Sequence, residues 1–558
     1  MHMKNNRSHI GVFLTAILLL VSVFSCDKEL NKTDPNRLTL DAYFKTASEL
    51  EKATNAVYAN FHAPWIMGRE WFFVHDTRSD EVASGGSQLE QPRAQMLAGT
   101  HDPSNAIMGW FWQALYTMIH RANTVIENGP NVTDNISLRD RCVAQAKFFR
   151  AWGYFELVSQ WGPVPLYTAT VKTPDAFQPR AKEDDIYALI VSDLTAAATV
   201  LPGRSGTEKG RVTAAAANVL LGRVLMQKGD YAGAKTALLK VPTSGPDGYR
   251  LRDRYLDNFE AGLPTPSGTA KLDESLEFND ESIFEAVFFD KGNNDFNWGS
   301  QISGDGATAN QSTVRNQEYC PVAWRNLIPS NKYLDEFEKT TTGAVKTDPR
   351  YKFSVYECTS RAGVPGDLYN NGQSILDSTD VQGPQSVVKN ATATVTDDTI
   401  KVSWRKFMLL YREDKGVAGF HPSGNNQRLM RYAEVLLMLA ECENELGNLA
   451  PAIAYLNQVR ARPSVAMPPY PTPQFLCANK NQVTRAIMHE RTVELGDEEL
   501  KNIDIMRWRK KGYYPLIMPE PLSYFVANKH ELLPIPQSEI DNNPKLGSGG
   551  INKQNPGY

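Results

Sequence analysis

Two stretches of this chain are one helical hairpin written twice. Gln227-Lys228-Gly229-Asp230-Tyr231-Ala232-Gly233-Ala234 and Glu445-Leu446-Gly447-Asn448-Leu449-Ala450-Pro451-Ala452 stand 218 positions apart and register without a gap. The same offset carries Gly222 onto Ala440, Leu238 onto Leu456 and Val241 onto Val459. A small residue at 222 or 440 precedes Ala234 or Ala452 by twelve positions, matching the close-packing sites of a tetratricopeptide helix pair. Small side chains let two antiparallel helices approach, and Gly229 or Gly447 allows the tight turn between them. One such pair cannot bury its apolar face alone, so the chain is expected to stack helices.

The remaining pattern is also helical. Leu50, Ala53, Val57 and Phe61 follow a candidate N-cap at Ser48. Trp112, Leu115, Tyr116, Ile119, Ala122 and Ile126 form a stripe that stops at Gly129-Pro130. Residues 141–160 repeat the period through Ala144, Phe148, Ala151, Phe155 and Val158, and break at Gly162-Pro163-Val164-Pro165. Residues 184–201 add a further helix, whereas strand signals are short, at 282–289 and 399–404. The expected fold is mainly α, with 42% apolar residues giving ample material for a core. Two polar stretches interrupt it, 290–324 and 369–398, the first punctuated by Phe296, Trp298, Tyr319 and Trp324. Loops of that length inside a folded body are often functional.

The N-terminus sets an address. Lys4 and Arg7 precede an apolar run from Ile10 to Phe24, short for a membrane span, followed by Ser25-Cys26-Asp27. Val23-Phe24-Ser25-Cys26 resembles a bacterial lipobox, with Phe24 where smaller residues are usual, so Cys26 is the expected lipidation site. The polar stretch behind it reads as a tether. The 59 basic and 63 acidic residues give a net charge of −4, which offers no footprint for nucleic acid. Cys142, Cys320, Cys358, Cys442 and Cys477 show no metal-ligand spacing, and an odd number cannot all pair. Cys142 and Cys442 fall inside helical patterns as small buried residues. His489-Glu490 opens like a zinc-protease motif, but Val493 stands where the second His belongs. No phosphate-binding loop, dinucleotide fingerprint or nucleophile elbow occurs, so no catalytic residue, metal or cofactor is assigned.

Several motifs in order resemble the SusD/RagB family of outer-membrane nutrient-binding lipoproteins from Bacteroidetes-type bacteria. They are Ala144 to Val158 with Trp161-Gly162-Pro163-Val164-Pro165-Leu166, then Gly210-Arg211-Val212-Thr213, then Met430-Arg431-Tyr432-Ala433-Glu434 through Arg460 and Arg462. His489-Glu490-Arg491, Leu533-Pro534-Ile535-Pro536 and Gln554-Asn555-Pro556-Gly557-Tyr558 complete the set. Where the family usually carries a Phe-Glu-Gly-His-Arg-Trp-like run, Gly496-Asp497-Glu498-Glu499-Leu500-Lys501 departs before Arg507-Trp508 resumes.

The resemblance implies a tetratricopeptide-containing α-superhelix with a long irregular loop region. Its parts would be a leader (1–25), a lipidated tether (26–44), an N-terminal region (45–270) and a C-terminal region (271–558) packed as one body. It implies a non-enzymatic, surface-exposed outer-membrane lipoprotein that captures glycan and delivers it to a TonB-dependent, SusC-like transporter. A peptide-binding relative is the alternative, ahead of a repeat scaffold or a secreted helical glycosidase. Sugars present apolar C–H faces and a rim of hydroxyls, which flat indoles and polar side chains match. The expected ligand residues are therefore Trp298, Asn297, Tyr319 and Trp324 from the irregular side, with Trp65, Arg78 and Asp80 from the N-terminal loops. Arg150, Arg431, Glu434, Glu441 and Glu490 are expected to make scaffold ion pairs.

Overall fold

The first helix starts where a tertiary contact helps it. In this computed structural model Thr46, two residues before the expected cap, accepts from Glu49 N–H, and the Glu49 carboxylate accepts from Thr46 N–H. Asp134 accepts from Ala47 N–H at 2.9 Å, an acceptor that local sequence does not supply. The structure describes residues 43–86, 88–259, 276–288, 312–320, 324–339, 347–357, 402–408 and 424–558, with the backbone of four short strands at 262–264, 270–272, 368–369 and 373–374. Cys26, the leader, Asn297 and Trp298 lie outside the described residues.

The N-terminal half runs through α1 (Ala47–Phe61), α2 (Glu70–Asp76), α3 (Gln91–Ala98), α4 (Ala106–Asn128), α5 (Ile136–Trp161) and α6 (Glu183–Val200). The first repeat is α7 (Ala214–Lys228) and α8 (Tyr231–Leu238). Between the halves come the one-turn helices α9 (Arg315–Tyr319), α10 (Asn331–Glu336) and α11 (Arg350–Ser354). The second repeat is α12 (Tyr432–Glu445) and α13 (Leu449–Arg460), followed by α14 (Lys480–Leu495), α15 (Lys501–Lys510), α16 (Tyr513–Leu516) and α17 (Gln537–Asn542). The described strands pair two by two, all antiparallel: β1 (Val82–Ser84) with β5 (Leu327–Pro329), β2 (Gly262–Pro264) with β3 (Ala270–Leu272), β4 (Ser282–Ala286) with β10 (Gln427–Arg431), β6 (Val355–Glu357) with β9 (Val402–Trp404), and β7 (Leu368–Tyr369) with β8 (Gln373–Ser374). The fold is mainly α.

Both hairpins close as their spacing requires. Gly229 and Gly447 turn the chain at φ +83° and +86°, the left-handed region open to glycine. A Cβ on Gly222 would stand 2.6 Å from Leu238 Cδ2, and Ala234, Ala440 and Ala452 are fully buried. Cys142 and Cys442 are buried, unpaired thiols.

One apolar cluster extends from Phe44 to Leu546. Phe284 of β4 packs on Phe61 and Phe148, so residues beyond 271 enter the core of the N-terminal helices. Buried ion pairs tie helices across it: Arg150 clamps Asp193, Arg223 holds Glu434, Arg507 holds Glu441, and Glu490 receives Arg350 and Arg460. Each charge removed from water there has a partner, as burial demands. No described helix is long and apolar enough to cross a membrane.

Candidate functional site

The site begins at a turn that follows α1. Residues Pro64–Gly68 form a single π-type turn, and Trp65 on it stacks against Trp110 of α4 with ring centroids 5.4 Å apart and planes 5° from parallel. Both indoles are half-buried at the edge of the core. The described ends of the 289–311 segment abut this turn. On one side Val287 N–H donates to His62 Nε2 and the Phe288 ring lies 5.6 Å from the His62 ring. On the other, Val314 N–H and Thr313 Oγ1 both donate to Gly68 O. The described residues on both sides of 289–311 therefore lie against the turn that carries Trp65.

Trp324 is half-buried and held through its backbone, its N–H on Gln317 O at 3.0 Å and its carbonyl accepting from Gln88 Nε2 at 2.7 Å. Two residues after Gln88, Glu90 pairs with Arg69, which directly follows the Trp65 turn and also binds Glu318 at 2.5 Å. Trp324 is thus linked to the Trp65 turn through Gln88, Glu90 and Arg69, and Trp110 joins by its stack on Trp65.

Two expected ligand residues are withdrawn into the interior, which corrects the sequence reading. Tyr319 is fully buried, and its hydroxyl donates to Asp76 Oδ2 at 2.7 Å. Arg78 is 4% exposed and binds Gln160 Oε1 and the carbonyls of His530 and Glu531. Its role is to hold the C-terminal segment to α5. Asp80 is half-buried and faces Lys501 Nζ at 3.7 Å in a separate 340 Å³ cavity with Trp508 and Tyr514. Trp110 was missed. It lies two positions before Trp112, roughly 200° around the helix, so it points away from the core stripe, and that offset was the available signal.

The departing run after α14 builds an acidic cluster. Asp76, Asp497 and Glu499 are buried, with carboxylate oxygens within 4.8 Å of one another. Burial pushes all three carboxyls up, against the opposing charge of Arg315. The Arg315 guanidinium meets Asp497 at 2.8 Å and also pairs with Glu499, bringing a positive charge to the cluster. Asp497 and Glu499 both adopt positive φ, +63° and +57°.

A family model described as the SusD family matches residues 280–558, half of the chain. The chain belongs to the SusD family. A second model, described as starch-binding associating with outer membrane, matches residues 33–226. The SusD-like protein P2 of Formosa agariphila is 27% identical over 558 residues, covering 98% of this chain and 99% of that protein. Among solved structures, a SusD homologue from Bacteroides thetaiotaomicron superposes with a TM-score of 0.69 at 20% identity, covering 95% of this chain and all of that one. Surface glycan-binding protein A of the same species, in complex with laminarihexaose, gives a TM-score of 0.67 at 22% identity over 92% of this chain and all of its own. At these identities the structural likeness describes the fold.

Proposed function

We propose that this SusD-family chain is a lipid-anchored surface protein of the outer membrane that binds glycan and passes it to a TonB-dependent, SusC-like transporter. The observation that carries the binding role is the half-buried Trp65–Trp110 stack, on the turn against which the described residues flanking 289–311 pack. Rigid indole faces match the C–H faces of pyranose rings at little entropic cost, and amides beside them take the hydroxyls. Trp324 extends the rim. A family relative bound to laminarihexaose supports the ligand class, and the starch-binding, outer-membrane description of the N-terminal match supports both ligand and address. Cys26 supplies the anchor. The transporter partner is inferred from the family and calls for an interface of ~2,000 Å² or more, as in permanent complexes.

The test is calorimetry with laminarihexaose and a panel of polysaccharides. Trp65→Ala, Trp110→Ala, Trp298→Ala and Trp324→Ala should each weaken binding by ~1–2 kcal/mol, roughly five- to thirtyfold. Unchanged affinity in all four folded variants would place the site elsewhere. Mild detergent extraction through a tag on this chain should bring down a barrel transporter, and recovery of the chain alone would sink the delivery role.

A further inference from the structure

Further along α4, an aromatic cleft shares no lining residue with the tryptophan rim. It encloses about 320 Å³ between α4, the 165–177 segment and α17. Tyr116 and Tyr167 meet edge to face, centroids 5.8 Å apart and planes at 83°, so two half-buried rings form a right-angled corner. Phe177, also half-buried, closes a third wall. The corner is fixed in advance: Tyr116 Oη donates to Pro165 O at 2.7 Å, Tyr167 Oη accepts from Gln178 N–H at 3.2 Å, and Asn123 Nδ2 donates to the carbonyls of Tyr167 and Ala169. These bonds hold both rings in place, and the Tyr167 hydroxyl keeps its proton to donate.

The mouth is polar. Gln113, His120 and Asn542 are exposed, and among the described residues their side chains make no hydrogen bond. Burial pushes the Glu539 carboxyl up and the His120 imidazole down, each towards its neutral form. A preformed aromatic corner rimmed by amides, an imidazole and a carboxyl suits a ligand with apolar faces and a hydroxyl edge.

We propose that this cleft is a second saccharide subsite that takes one or two neutral pyranose rings. It goes beyond the rim reading and does not depend on it. The rings of Tyr116, Tyr167 and Phe177 bind C–H faces, while Gln113, His120 and Asn542 exchange hydrogen bonds with hydroxyls. A neutral ligand makes binding insensitive to salt.

The experiment is saturation-transfer NMR on the full chain carrying Trp65→Ala, Trp110→Ala, Trp298→Ala and Trp324→Ala together, so that the rim is silent. The probes are methyl α-glucoside, methyl β-glucoside and laminaribiose. At least one should receive transfer, unchanged at raised salt. Adding Phe177→Ala, on an exposed segment, or Gln113→Ala should weaken it at least fivefold with melting unaltered. Conversely, Phe177→Ala in the wild-type background should leave the rim's affinity for laminarihexaose as it was. No transfer from any probe, or transfer that ignores both cleft substitutions, overturns the proposal. Laminarihexaose affinity that survives the rim substitutions in the Phe177→Ala background would instead count against the rim alone.

Discussion

Arg431, at the end of β10, places Nη1 2.7 Å from Glu494 Oε1 near the end of α14, and both side chains are excluded from water. Arg462 reaches the same oxygen at 2.9 Å, and both arginines also bind Glu281. Opposed by burial, the arginines hold the Glu281 carboxyl down at about 2. The second repeat, β4 and α14 are therefore joined by one buried quartet.

Glu494→Ala leaves three buried guanidinium groups, those of Arg350, Arg431 and Arg462, without that partner. Breaking one member of such a network costs ~3–5 kcal/mol, to be read from urea unfolding. A loss below about 1 kcal/mol would mean that the quartet contributes little to stability.

Ala234 and Ala452 mark the contacts inside the two hairpins, and both are fully buried. Ala234→Leu and Ala452→Leu should each cost ~1–3 kcal/mol through overpacking. Unaltered melting for both would show that neither hairpin is closely packed.

Glu81 lies 3% exposed, and burial pushes its carboxyl up to about 8. The folded state then binds more protons than the unfolded state between pH about 4.5 and about 8. Stability from this group is complete below pH about 4.5 and falls as pH rises to about 8. Glu336 behaves oppositely. Against burial, His489 and Arg485 hold its carboxyl at about 2, so its contribution is present above pH about 4.5 and lost as pH falls towards about 2. Melting temperature should peak near pH 5 (about half a unit above the ordinary glutamate value), and Glu81→Gln should flatten the alkaline arm alone. An alkaline arm that survives Glu81→Gln unchanged would remove Glu81 from the account.

Cys26→Ala should release the chain from the membrane fraction, because stable anchoring takes two or more acyl chains and this variant carries none. Continued membrane association would argue for an anchor other than the lipobox.

The residue order determined the scaffold. The twelve-residue spacing from Gly222 to Ala234 specifies a close helix pair because helix geometry is local and periodic. The family resemblance implied scaffold ion pairs for Arg150 and Arg431, and a buried charge requires such a partner. The sequence could not say which aromatics face solvent. Trp65 and Trp110 stand 45 positions apart, and only the packing of the Pro64–Gly68 turn against α4 stacks them. Tyr319 sits in a polar stretch and looks exposed, yet Asp76, 243 positions away, draws its hydroxyl inward. Asp497 and Glu499 registered only as departures from a family motif, and tertiary structure brought them to Asp76 and Arg315. Local periodicity fixes which face of a helix is buried. What lies opposite that face, and therefore which rings and charges remain open to a ligand, depends on contacts between residues far apart in the chain.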